Sequence, residues 1–310
     1  GVAVVVDTNG VNFATYNTTG HATGADVGGI QAFQAYNNAT VSSTTATGSP
    51  VITVGSTFGL AVGMPVNGLG IPEGATIAAI LTPTTYQLST AATSAGTNAI
   101  QYQYTNINTA GVTGSASDLI RLAASGNVAT GNTALLTRSV AGILINSATP
   151  VTVNAAGFAT LTVSNGGLLV AGGTSGSPVT HSIGSNLVVL GGNTYDLNLA
   201  VDANTTLDVQ GVLRSSFNVT KTLPGTLQLS AKQYFNTGGN WFTVAAGKVI
   251  LNAGNNTLYP GRNMAVGAGA TLDLNGTTQT IGGLMTPEGA RRYAGGVVTN
   301  SSATHANLVT

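Results

Sequence analysis

The sequence predicts an all-β protein built as a parallel β-helix, a solenoid, with a small β module inserted near its N-terminus. Three observations carry that expectation. Only 6% of the 310 residues are charged, and Glu and Lys occur two and three times, so good helix formers other than Ala and Leu are scarce. A short strip of alternating apolar and mostly polar residues recurs through the C-terminal two thirds. Between the strips lie Gly and Asn pairs, which supply the positive φ of tight corners at little cost.

In chain order, residues 1–42 open on an uncharged apolar run, Val2-Ala3-Val4-Val5-Val6, and are read as N-terminal strands and first coils. Residues 43–105 break the repeat. Pro50, Pro65, Pro72 and Pro83 punctuate short strand-like runs here, which suits tight turns and argues against helices. This segment is expected to be a small β module inserted on the first coils. Over residues 106–310 the strip takes over as Thr206-Leu207-Asp208-Val209, Thr226-Leu227-Gln228-Leu229, Lys248-Val249-Ile250-Leu251 and Thr271-Leu272-Asp273-Leu274. Leu207, Leu227, Val249 and Leu272 follow one another at 20, 22 and 23 residues; Leu187 precedes Leu207 by 20, and Leu161 precedes Leu187 by 26. Gly225, Gly247 and Gly269-Ala270 stand just before three strips, and corners such as Asn165-Gly166-Gly167, Gly191-Gly192-Asn193 and Gly238-Gly239-Asn240 separate them. Such a period is one coil of two or three strands, stacked about 4.8 Å from the next, with Leu161, Leu187, Leu207, Leu227, Val249 and Leu272 forming an inward ladder. On that reading Leu227→Asp is disruptive and Gln228→Asp tolerated. An antiparallel sandwich also gives many short strands, but not so steady a period.

The run from Leu223 to Ser230, then Thr237-Gly238-Gly239 and Val244 to Leu251, resembles the autotransporter-associated β-strand repeat. Gly269 to Gly276, continuing through Gln279 to Leu284, looks like the continuation of that repeat. The resemblance covers residues 106–304 and implies a right-handed β-helix displayed outside a bacterial cell. The segment from Gly59 to Ile77 looks like a small β module of bacterial surface and phage-related proteins. No translocator barrel accompanies the repeats, so autotransport by this chain itself is not expected.

Composition excludes several classes. Nine basic and nine acidic residues cancel, leaving no field to steer nucleic acid or anionic lipid. At 43% apolar residues in periodic strips the chain does not read as disordered, and no apolar run approaches the 18 or so residues of a membrane helix. Aromatic girdles of an outer-membrane barrel are missing at 5% Phe, Trp and Tyr, and cysteine is absent.

Catalytic chemistry is sparse. Asp196, Asp202 and Asp208 are six residues apart, which does not stack them in a coil of 20 or more residues. Asp208 and Asp273 share a place in the strip but lie three coils, roughly 14 Å, apart. His21, His181 and His305 lack metal or triad spacing. Arg291-Arg292 with Glu288 reads as a local ion pair on a turn, and Gly166-Gly167 lacks the helix of a phosphate site. Trp241 and Phe242 could serve a sugar platform, but one of them is expected inside a coil. Asn-x-Ser/Thr triplets at Asn17, Asn38, Asn204, Asn218, Asn255, Asn275 and Asn300 are expected by chance in so Asn- and Thr-rich a chain.

No catalytic, cofactor-binding or metal-binding residue is therefore expected, and the chain is read as non-enzymatic. The expected function is structural: an exported bacterial protein, extracellular or at the cell surface, self-assembling into a filament or surface layer through the β-helix ends. Val2–Val6 and the segment 303–310 lack Lys, Asp, Glu and Pro, so neither end looks capped. A glycan-binding adhesin or phage-spike-like module is the alternative, and a polysaccharide-cleaving enzyme ranks third. The partners expected are copies of itself and a glycan surface, with no nucleic acid, no cofactor and no membrane-spanning segment.

Overall fold

The structure, a computed structural model, describes residues 4–7, 10–17, 29–32, 39–55, 57, 60, 62–64, 66–72, 75–102, 119–122, 126–127, 136–155, 158–191, 196–234, 241–287 and 295–310. Among them every regular element is a strand.

Strands β1 (Val4–Asp7), β2 (Gly10–Asn17) and β3 (Gly29–Ala32) form an antiparallel meander. The reading of this run as part of a first coil is thereby corrected for Val4, Val5 and Val6, which pair with Phe13, Asn12 and Val11, while Val2 and Ala3 lie outside the described residues. Asp7 pairs with Gly10, three positions on, and such a local closure costs less entropy than reaching a distant coil.

A six-stranded antiparallel sheet follows, made of β4 (Ala39–Thr45), β5 (Val51–Val54), β6 (Val66–Gly68), β7 (Ile77–Thr82), β8 (Thr85–Leu88) and β9 (Gly96–Tyr102) in the order β6-β9-β4-β5-β8-β7. Alternation buries Ile52 and Val54 of β5 against Tyr86 and Leu88 of β8. The Val66 N–H donates to the Ala75 carbonyl and the Ile77 N–H to the Met64 carbonyl, both at 2.9 Å, so the two ends of the sheet meet. Pro50, Pro72 and Pro83 sit between strands, where their carbonyls accept from Leu88, Ala75 and Thr57 and no ladder N–H is forfeited.

From Leu119 the chain winds into stacked parallel coils. The first holds β10 (Leu119–Leu122), β11 (Gly126–Asn127) and the first half of β12 (Leu136–Asn146); the second holds the rest of β12, β13 (Thr152–Asn154) and the first half of β14 (Ala159–Ala171). The rest of β14, β15 (Val179–Ile183) and β16 (Leu187–Gly191) make the next, then β17 (Leu197–Val201), β18 (Thr205–Val209) and β19 (Val212–Arg214). Next come β20 (Val219–Thr222) with β21 (Thr226–Leu229), β22 (Trp241–Val244) with β23 (Lys248–Leu251), and β24 (Arg262–Val266) with β25 (Thr271–Asp273). The start of β26 (Thr278–Met285) ends the β24–β25 coil. The rest of β26, β27 (Val297–Thr299) and β28 (Asn307–Val309) form the last coil described. Parallel pairing gives three faces. Face A runs from β10 to the second half of β26, and face B is the eight-stranded sheet from β11 to β27. Face C carries the first halves of β12 and β14 with β16 and β19, and resumes where β26 pairs with β28.

The inward ladder of face B is as the spacing predicts: Leu207 pairs with Leu227, Leu227 with Val249 and Val249 with Leu272, all buried. Leu161 and Leu187 are also buried, but the expectation that they share this ladder is corrected. They stack on face C, against Val189 and Ala159, and the rung before Leu207 is His181. A three-sided coil carries an inward strip on each side, and an interval in sequence does not say which side a strip lines. On face A, Leu144, Leu169 and Ala200 point outward yet are buried, in a cluster with Phe13 of β2. Gly142 gives that ring its place: a Cβ there would come within 3.1 Å of it. At Gly225 a Cβ would strike the carbonyl oxygens of Asp202, Thr205 and Val201, so only glycine lets these coils close.

Candidate functional site

Polar side chains that sequence reading sifted for catalysis are spent on joining one coil to the next. Where face A turns into face B, Lys221 points inward and is buried. Its ammonium donates to the carbonyls of Leu223 at 2.7 Å, Thr222 at 2.9 Å and Ala246 at 3.1 Å. Burial pulls its pKa from 10.5 down to about 7. Leu223 holds φ at +64°, and at Gly247, with φ +70°, a Cβ would lie 2.8 Å from the ammonium nitrogen.

Where face B turns into face C, Asp208 accepts from Gln210 Nε2 at 2.8 Å, Gln228 Nε2 at 3.2 Å and Ser230 Oγ at 2.6 Å. Asn252 Nδ2 donates to Ser230 Oγ, and Asn275 Nδ2 to Asn252 Oδ1, so the amide column climbs coil by coil. Gln228→Asp would lose this amide bond and set a second carboxylate beside Asp208. Asp208 and Asp273 occupy one column three coils apart, as expected, through Gln228 and Ile250. Asp273 is fully buried and 2.7 Å from Lys248 Nζ. Burial alone would raise its carboxyl, but Lys248, the Ser301 hydroxyl and the N–H groups of Ser301 and Asn275 outweigh it and hold it at about 2.

At the third corner Asp196 Oδ1 accepts from the Asn218 backbone and side chain, each at 3.1 Å, and Asn218 Oδ1 accepts from the Trp241 N–H at 2.8 Å. The buried Arg262 guanidinium donates to the Trp241 carbonyl at 2.9 Å. Asp196, Asp202 and Asp208 do not converge, and among the described residues no three His, Cys, Asp or Glu residues come together as metal ligands. Phe242 is buried inside a coil while Trp241 is half-buried, so the two do not form a sugar platform. Asn218, Asn255, Asn275 and Asn300 take part in bonds between coils, which gives these triplet asparagines a structural role. His21, Asn38, Glu288, Arg291 and Arg292 lie outside the described residues, as do Gly192-Asn193 and 238–240.

Besides Lys221, sequence reading missed the inward polar residues His181, Gln233 and Gln279. His181 fills a rung of face B: its Nδ1 accepts the Val151 N–H at 3.1 Å, and its Nε2 lies 3.0 Å from the Ala171 carbonyl, which fixes the Nε2–H tautomer. Burial lowers its pKa, against a smaller upward pull from that carbonyl. Gln233 and Gln279 supply on face C what a strand would otherwise give. Gln233 Oε1 accepts the Leu213 N–H at 2.7 Å and its Nε2 donates to Ala231 and Gly211; Gln279 Oε1 accepts the Leu258 N–H at 3.3 Å.

The first and last described coils differ in the exposure of their inward rungs. Inward rungs Ile120 and Leu122 of the first coil are buried. In the last, Leu284 continues the ladder Val219–Phe242–Met264 and is 43% exposed, and Val298 continues Val249–Leu272 and is 37% exposed. Met285, Val297 and Val309 are exposed beside them. No family model, curated protein or solved structure matches this chain.

Proposed function

We propose that this chain is a structural protein, exported from a bacterial cell, whose solenoid associates with copies of itself through the coil of β26, β27 and β28. The observation that supports this reading is the exposure of apolar side chains on that coil. Its rungs Leu284 and Val298 continue buried ladders yet are exposed, and over residues 295–310 only the His305 side chain is titratable. Edges that stay single are normally blunted by charge, Pro or a cover. The inward rungs of β10 are already buried, so a head-to-tail contact finds no open rung to meet. Two copies of the last coil meet instead across a two-fold axis, and a filament or surface layer then uses a second contact elsewhere. The resemblance of residues 106–304 to the autotransporter-associated β-strand repeat is what favours an extracellular or surface location. Sedimentation velocity over a concentration series tests the joint. The chain is expected to sediment as a concentration-dependent dimer or larger species, and Leu284→Lys with Val298→Lys to leave monomers. A chain that stays monomeric at every concentration, or an assembly indifferent to both lysines, would sink the reading.

A further inference from the structure

No Asp or Glu occurs from residue 209 to residue 272, yet five of the nine cations do: Arg214, Lys221, Lys232, Lys248 and Arg262. Three are engaged internally. Lys221 and Arg262 are buried, and Lys248 forms the one ion pair among the described residues. Arg214 and Lys232 are exposed and have no acidic partner among the described residues. Both lie on the outside of face C, where Arg214 follows the inward Leu213 and Lys232 precedes the inward Gln233. The Leu213 N–H bond to Gln233 sets their coils side by side, about 4.8 Å apart. Lys232 Nζ gives one hydrogen to the Asn255 carbonyl at 3.1 Å and keeps two for a ligand.

The same flank carries two exposed aromatic rings on neighbouring coils. Tyr234, 53% exposed, follows Gln233; Tyr259, 38% exposed, follows Leu258. Their centroids are 6.4 Å apart with planes at 55°, so they present a bent apolar ledge along the solenoid axis. Uncompensated positive charge beside rings calls for a ligand with negative charge and a flat apolar face.

We propose that Arg214, Lys232, Tyr234 and Tyr259 form a binding ledge for an acidic polysaccharide, its pyranose C–H faces laid on the tyrosine rings and its carboxylates against Arg214 and Lys232. The guanidinium fork pairs bidentately with a carboxylate, and the lysine acts as a point charge. Single-stranded nucleic acid shares the chemistry of rings and charge, but its phosphates demand a longer run of cations than this net-neutral chain offers. The ledge is on the flank and not at the last described coil, so it stands independently of the self-association proposed above.

Titration calorimetry with hexagalacturonate, its methyl ester and an oligothymidylate of equal charge tests the ledge. Hexagalacturonate is expected to bind, with affinity at least about tenfold weaker for the ester and for Arg214→Gln/Lys232→Gln, as loss of charge-assisted contacts implies. Tyr234→Ala/Tyr259→Ala is expected to weaken it by a similar factor. All four side chains are exposed, so circular dichroism melts and sedimentation of both variants should match the parent. Equal binding of the ester, indifference to either double variant, or no heat with hexagalacturonate, an alginate hexamer and a heparin hexasaccharide overturns the assignment. Tighter binding of the oligothymidylate overturns it in favour of nucleic acid.

Discussion

Lys221 occupies a rung that the adjoining coils fill with Leu199 and Val244. An ammonium in that ladder is tolerated because each of its three hydrogens meets a carbonyl, yet it has left water, and burial brings its pKa to about 7 from 10.5. The sign of the consequence is fixed by proton counting. Below about pH 7 both folded and unfolded chains hold the proton and the cost of burying charge is felt in full. Between about 7 and 10.5 the unfolded chain holds more protons, so stability rises with pH across that window. Thermal melts should therefore show Tm climbing from pH 7 to pH 10, and Lys221→Met should flatten the climb. The slope is the readout, since the variant also leaves the carbonyls of Thr222, Leu223 and Ala246 without their donor. Equal slopes in the two proteins exclude Lys221 as the source.

At the scale of strands, each coil is held by apolar rungs inside and amide bonds at the corners, and the two can be cut separately. Leu227→Asp sets a carboxylate between Leu207 and Val249 with no partner, and urea melts should show a loss of roughly 3–5 kcal/mol. Gln233→Ala leaves the Leu213 N–H unpaired inside the coil, for about 1–3 kcal/mol. If Gln233→Ala melts like the parent, the amide is not standing in for a strand. That pair also marks how far the fold was legible. Face B was readable because β18, β21 and β23 keep an apolar-polar alternation at a steady interval, and Pro50, Pro72 and Pro83 marked the connections between short strands. Face C was not, because Gln233 and Gln279 place polar residues inward and break the alternation by which strands are recognised. His181 and Lys221 escaped for the same reason: partners drawn from backbone carbonyls and N–H groups leave no motif in sequence. The flank of Tyr234 and Tyr259 was equally hidden, since residues 25 apart become neighbours only once the coil length is known.

For the whole molecule, stability in a solenoid is close to a sum of contacts between neighbouring coils, so different coils open at different free energies. Among the described strands, those of faces A and B from β17 to β25 pair on both sides, whereas β27 and β28 pair on one side only. What ties their coil down is the buried Asp273, which joins Lys248 two coils back to the Ser301 N–H at 3.0 Å. This carboxylate, at about 2 against 3.8, contributes stability above pH 3.8 that is lost as pH falls towards 2. Asp273→Asn removes the charge but little volume, so its effect should stay local. Native-state hydrogen exchange at neutral pH should show faster exchange over residues 297–309 in the variant, with β18 and β21 protected as in the parent. Faster exchange spread evenly from β18 to β28 would mean that the coils open as one unit and that Asp273 holds more than its own turn. No change over 297–309 would mean that the stacking of Val298 on Leu272 suffices by itself.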